Sequence, residues 1–157
     1  MPKITTFLTY DHQAEAAARF YVSVFKNSRI RSLTYYGEGA PGPAGTVMTV
    51  TFELDGQEFV ALNGGPHFKF TDGVSLSVEC HTQAEVDAYW EQLSAGGEPG
   101  PCGWLTDQFG LAWQINPAIL RELLSDPDAH KAKRVMDAML KMGKLDIAGL
   151  RQAYQGD

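Results

Sequence analysis

Thr9-Tyr10-Asp11-His12-Gln13-Ala14-Glu15-Ala16-Ala17-Ala18-Arg19-Phe20-Tyr21 decides how this chain is read, because the chain writes it twice. The second version is Cys80-His81-Thr82-Gln83-Ala84-Glu85-Val86-Asp87-Ala88-Tyr89-Trp90. Gln-Ala-Glu and the alanines at 18 and 88 recur in register, and the aromatic pairs Phe20-Tyr21 and Tyr89-Trp90 recur one residue out of step, with Phe20 matched by Trp90. One shared tripeptide arises by chance. A strand-like run, a turn, a helix start and an aromatic position recurring together indicate a duplicated module.

Working outward, Ile4–Tyr10 reads as a strand rich in Thr and aromatics, and Asp11-His12 as the turn and cap of a helix over Ala14–Phe25. Ala17, Phe20, Tyr21, Val24 and Phe25 share one face of that helix at helical spacing. Arg29–Tyr36 alternates as a strand. The Gly- and Pro-rich stretch 37–45 is a loop, either a passive connection or a mobile lid. Thr46–Leu54 and Gln57–Leu62 flank Asp55-Gly56, a strong hairpin signal. Asn63-Gly64-Gly65-Pro66 ends the first module, so strand, helix and three antiparallel strands are expected in residues 1–66.

The second module, 73–117, repeats this in shortened form. Val74–Cys80 is a strand and Gln83–Leu93 the second helix, stopped by Gly96-Gly97. Glu98-Pro99-Gly100-Pro101 is too broken for a full strand and reads as one eroded into a loop. Cys102–Thr106 is a short strand, and Leu111–Ile115 is the closing one. The extension 118–157 has no counterpart in the first half. Asp126-Pro127-Asp128 opens a helix there, with Pro127 at its first position and Val135, Met136, Met139, Leu140 and Met142 on its apolar side. Leu145–Tyr154 is a further short helix. These helices either cover their own subunit or meet a second one.

Composition narrows the function classes. Hydrophobic residues at 44% and charged residues at 20% exclude wholesale disorder. A net charge of −6 argues against nucleic acid, whose binding rests on phosphate neutralisation, and provides no polybasic surface for a membrane. No apolar run approaches the ~20 residues of a membrane span. Met1-Pro2-Lys3-Ile4 runs directly into a strand pattern, so no signal peptide is expected and the expected location is cytoplasmic. Cys80 and Cys102 read as two reduced thiols, with a disulfide or a reactive Cys102 as alternatives.

The twofold arrangement and several motifs resemble the PhnB-like group of the vicinal-oxygen-chelate superfamily, which includes glyoxalase, bleomycin-resistance and extradiol dioxygenase folds. That group also carries a demethylubiquinone methyltransferase label. The matching residues are Phe7-Leu8, Ala14-Glu15, Phe20-Tyr21, Ala61-Leu62-Asn63-Gly64-Gly65-Pro66, Phe68-Lys69-Phe70 and Val78-Glu79-Cys80. They continue through Gly100-Pro101-Cys102-Gly103-Trp104-Leu105, Trp113-Gln114-Ile115, Arg134-Val135-Met136 and Lys144-Leu145-Asp146-Ile147. The resemblance implies an α+β fold: two strand-helix-strand-strand-strand modules forming a curled mixed sheet around a cavity, with a C-terminal helical tail. It also implies a homodimer.

Metal-dependent members of that superfamily place His and Glu on the first and last strands of each module. Matched by position, this chain has Thr5 or Thr6, Ser75 or Ser77, and Gln114. Hydroxyls and a neutral amide are poor ligands for a divalent ion, so no metal site and no cofactor are expected. Neither Gly37-Glu38-Gly39 nor Gly64-Gly65 opens a helix, so methyl transfer from a nucleotide-like donor is not expected either. What remains is a pocket. On the closing strand Gln114 shares a face with Ala112 and Asn116, opposite Trp113 and Ile115. The implied cavity would take a small organic ligand, with Gln114 and Asn63 as polar anchors, Tyr10, Phe68 and Trp104 as aromatic walls, and Cys102 as a soft contact. A metal-dependent lyase, isomerase or dioxygenase of the same fold, and a drug-sequestering resistance protein, are the rival expectations.

Overall fold

The structure, a computed structural model, describes residues 3–156. It divides into two compact units, Met1–Lys69 and Phe70–Asp157. In the first, β1 (Thr6–Tyr10), α1 (Ala14–Val24), β2 (Arg29–Tyr35), β3 (Val47–Leu54) and β4 (Gln57–Asn63) follow in order. The second holds β5 (Ser75–Cys80), α2 (Gln83–Ser94), β6 (Glu98–Pro99), β7 (Trp104–Thr106) and β8 (Ala112–Pro117), then α3 (Ala118–Leu124), α4 (Ala129–Met139) and α5 (Ile147–Gln155).

The duplication read from the sequence is present in the topology. One sheet has the order β1-β4-β3-β2 and the other β5-β8-β7-β6, position for position the same. In each, the first strand runs parallel to the last and the remaining pairs are antiparallel. The fold is α+β with two open, mixed sheets.

Each sheet is covered on one face by its own helix. In the first unit, Ala14, Ala17, Ala18 and Tyr21 are the buried stripe of α1, above Leu8, Tyr10, Val50, Phe52, Phe59 and Ala61. Phe52 stacks on Phe59 at 5.6 Å between ring centres. Val50 and Phe52 are fully buried, and side chains of that size each contribute about 1.5–3 kcal/mol relative to exposure. The β3–β4 turn takes the left-handed conformations a two-residue hairpin requires, with φ of 48° at Asp55 and 81° at Gly56. In the second unit Trp113 and Ile115 are buried on the helix side, while Gln114 and Asn116 stand half-buried on the other.

Several expectations are corrected. The cap of α1 does not come from Asp11-His12. Its Ala14 N–H donates instead to Asn63 Oδ1 at 2.8 Å, because the parallel pairing of β1 with β4 brings Asn63 opposite Tyr10. The second helix does carry a local cap, with the Thr82 hydroxyl accepting the Glu85 N–H at 3.1 Å. The fourth strand of the second sheet is not lost. It survives as β6, in register with β7 (Glu98↔Thr106, Pro99↔Leu105), and its shortness and edge position suit a proline that cannot donate to a ladder.

Pro127 precedes α4 rather than opening it. Asp128 is the capping residue, accepting the His130 and Lys131 N–H groups at 2.9 and 3.4 Å. Met136 and Leu140 do not belong to the buried side of α4; Leu140 is 58% exposed. Val135 is buried there with Leu120, Leu123, Leu145 and Leu150, and Met139 and Met142 pack against that cluster. The tail thus packs on itself and is tied to the rest of the second unit, and it contains a helix, α3, absent from the sequence-based expectation.

Candidate functional site

The alternation of β5 and β8 turns Ser75, Ser77, Gln114 and Asn116 to the sheet face away from α2, and parallel pairing sets Ser77 beside Gln114 and Glu79 beside Asn116. The four polar side chains form one ladder. Gln114 Nε2 donates to Ser75 Oγ at 2.9 Å, and Asn116 Nδ2 donates to Ser77 Oγ at 2.8 Å and to Gln114 Oε1 at 3.3 Å. Trp104 stands on the same face, in register with Gln114 across the β7–β8 pair.

At the end of this ladder lies a cleft of about 570 Å³. The sheet contributes Ser77, Glu79, Asn116 and Pro117. The helix α3 contributes Leu120, Arg121 and Leu124, with Ser125 just beyond it. Pro117 with φ −61° caps α3 directly off the closing strand, so the helix starts without a loop and its side chains return over the strand end. The size is typical of small-molecule pockets, about 300–1,000 Å³.

Of the residues anticipated from sequence, Gln114 and Trp104 come together on this face. Cys102 lies in the β6–β7 turn with φ 59°, and its N–H donates to the Met142 carbonyl at 2.8 Å, tying the turn to the tail. Tyr10, Asn63 and Phe68 belong to the first unit. Tyr10 is 3% exposed, beneath α1, where its hydroxyl donates to that of Tyr21 at 3.1 Å. Asn63 accepts the Ala14 N–H with Oδ1, donates from Nδ2 to the Val47 carbonyl at 3.0 Å, and accepts the Tyr36 hydroxyl with its own carbonyl. Its polar groups are thus engaged in docking α1 and β3. Phe68 is exposed and leans over Gly64, where an added Cβ would meet its ring at 2.9 Å.

Sequence reasoning missed Glu79 and Arg121. Glu79 was visible as a polar residue two positions beyond Ser77. Arg121 required α3, whose signal is the Leu120, Leu123, Leu124 spacing. It also missed Asp107, the buried charged residue under the β7–β8 turn. Asp107 Oδ1 accepts the Phe109 and Leu111 N–H groups at 2.8 and 3.0 Å, and Oδ2 accepts the Trp113 indole N–H at 2.8 Å.

The donor chemistry does not fit a divalent metal. Ser75 is bonded to Gln114, Ser77 to Asn116, and Asn116 to Gln114, and no group of three or more His, Cys, Asp or Glu side chains converges among the described residues. Nor is Cys80 a nucleophile: burial, and then the negative charges of Glu85 and Glu79, push its thiol to about 11. No helix among the described residues is long and apolar enough to cross a membrane.

A family profile described as 3-demethylubiquinone-9 3-methyltransferase matches residues 2–116. Among solved structures, the PhnB protein from Bacillus cereus, provisionally described as a 3-demethylubiquinone-9 3-methyltransferase, is 39% identical. That match covers 74% of this chain and 100% of the other, with a TM-score of 0.67. Protein PA1353 from Pseudomonas aeruginosa is 20% identical over 74% of this chain and 98% of its own, with a TM-score of 0.62. The fosfomycin resistance protein FosX from Mesorhizobium loti is 14% identical over 80% of this chain and 100% of its own, with a TM-score of 0.56. At these identities the last two speak to the fold alone. No curated protein matches the chain. The profile match ends at Asn116, so Arg121 and the rest of α3 follow it.

Proposed function

The chain belongs to the family described as 3-demethylubiquinone-9 3-methyltransferase, in the PhnB-like group of the vicinal-oxygen-chelate superfamily, and from that membership we propose that it binds a small organic molecule in the cleft between β5, β8 and α3. The observation that carries the reading is the cleft itself. Leu120, Leu124 and Pro117 supply apolar wall, and a hydrogen-bonded ladder holds Asn116 and Ser77 in fixed orientations at its floor. Preorganised polar groups on strands lose little entropy when a ligand arrives. No metal enters the proposal, because the donor set does not suit one. Methyl transfer does not enter it either: the strand-to-helix turns Asp11-His12-Gln13 and His81-Thr82 contain no glycine with which to approach a nucleotide-like donor. A homodimer in the cytoplasm belongs to the same proposal, with the exposed Phe7 and Tyr35 as apolar surface for a second copy to cover.

The test is a metabolite screen on ¹⁵N-labelled protein, read at backbone amides. Binding in the cleft moves the Ser77, Asn116 and Arg121 signals, and Gln114→Ala weakens whatever ligand is found about tenfold, by loosening Asn116, with the thermal midpoint little changed. Ligands that shift only residues outside the cleft, or a Gln114→Ala variant with undiminished affinity, would remove this assignment. Sedimentation over a range of concentrations tests the dimer, and a monomer throughout would count against it.

A further inference from the structure

Resting on the reading of the cleft as a small-molecule site, we propose that its occupant is a small zwitterion: an amine at one end, an acid group at the other, and a short aliphatic spacer between them. Glu79 and Arg121 line the same cleft from β5 and α3. Neither charged side chain has an ion-pair or hydrogen-bond partner among the described residues, so the two do not neutralise each other. Elsewhere the chain readily pairs such groups, as in Glu53 with Arg29 and Arg31, Asp87 with Lys144, and Asp137 with Lys133. Two opposite charges that share a cleft without meeting define a site with a cationic end and an anionic end.

The uncharged lining agrees with this polarity. Asn116 donates from Nδ2 to Ser77 and Gln114, which leaves Oδ1 as an acceptor for an ammonium group. Ser77 Oγ accepts from Asn116, which leaves its own proton to donate to an acid group. Leu120, Leu124 and Pro117 provide contact for methylenes. The guanidinium of Arg121 can grip a carboxylate or a phosphate with two parallel bonds. The net charge of −6 repels a simple anion, and Arg121 repels a simple cation at close range, whereas a molecule that is neutral overall suffers neither penalty.

The experiment titrates labelled full-length protein with glycine, 3-aminopropionate, 4-aminobutyrate, 5-aminovalerate and 6-aminohexanoate, with butyrate and butylamine as single-charge controls. O-phosphoethanolamine is the arm that separates phosphate from carboxylate as the acid group. One chain length should bind at least about tenfold more tightly than both controls and shift Ser77 and Asn116. Arg121→Gln and Glu79→Gln should each abolish that preference, and both side chains are exposed, so both variants should melt as the parent does. Zwitterions that bind no better than butyrate and butylamine, or that are indifferent to both substitutions, overturn the inference. If uncharged compounds from the screen still move Ser77 and Asn116 while no zwitterion does, the inference fails and the cleft reading stands. If nothing moves those signals, both fail.

Discussion

Gln83 and Ile147 are joined across 64 residues: the side-chain carbonyl of Gln83 accepts the Ile147 backbone N–H at 2.8 Å. Its amide nitrogen donates to the Leu145 carbonyl and to Asp87, each at 3.0 Å, and Lys144 pairs with Asp87 at 2.9 Å. The first residue of the second repeated helix is therefore where the C-terminal tail is fastened.

Gln83→Ala is expected to cost about 1–3 kcal/mol, since it leaves two backbone groups of the α5 start without partners. Hydrogen exchange should quicken at Ile147 to Leu150 before it does in the sheet. Unchanged exchange there would mean that burial of Leu145 and Leu150 alone retains the tail.

Asn63 performs the equivalent long-range service in the first unit. Asn63→Leu, which preserves bulk but cannot bond Ala14 or Val47, should lower stability by about 1–3 kcal/mol and fray the first turn of α1. Far-ultraviolet circular dichroism with amide exchange at Ala14–Ala17 reads this. A loss of ligand binding at the β5–β8 cleft without any loss of stability would contradict a docking role.

Asp107→Asn is expected to be more damaging than its single-atom change suggests. One carboxylate oxygen accepts two backbone N–H groups and the other accepts the Trp113 indole, so a side-chain NH₂ must face a donor in either orientation. A loss of about 2–3 kcal/mol and an altered tryptophan emission are expected. An unperturbed denaturation midpoint would refute this account of the turn.

Cys80 sets an alkaline limit. Its thiol is raised from 9.0 to about 11 in the folded chain, by burial first and by Glu85 and Glu79 second. The contribution is fully present below pH 9 and is lost as pH rises through 11, because the unfolded thiol gives up its proton first. Stability should fall across pH 9–11 with a slope of up to about 1.4 kcal/mol per pH unit from this group. Cys80→Ala should flatten that slope relative to the parent, and in native protein at neutral pH an alkylating reagent should modify Cys102 before Cys80.

Much of the architecture was legible because it rests on near neighbours. Alternation located seven of the strands to within a residue or two, Asp55-Gly56 marked its hairpin, and the Gln-Ala-Glu repeat announced two modules that the matching strand orders display. The failures have specific physical origins. Edge position lets β6 exist in two residues around a proline, below the length that periodicity detects. The exposure of Met136 and Leu140 reflects which part of α4 finds a partner, and an apolar stripe alone does not say that.

The candidate site divides along the same line. Alternation alone set Gln114 and Asn116 on one face opposite Trp113 and Ile115, since side-chain direction in a strand is a local property. Tyr10 and Asn63 looked equally available from sequence, yet one is enclosed beneath α1 and the other is spent on docking it.

The two copies of the repeated stretch show where the boundary falls. Their shared residues determined strand, turn and helix twice over, because backbone preferences and hydrophobic period act across a few positions. What each copy holds was decided only by tertiary structure: Asn63 reaches the start of the first helix and the tail reaches Gln83 at the start of the second. Arg121 likewise enters a cleft only because α3 folds back from Pro117 over the strand ends. Hydrogen bonds and charges are satisfied by whatever packing brings near, and residues distant in the chain become neighbours only when the sheets and helices assemble.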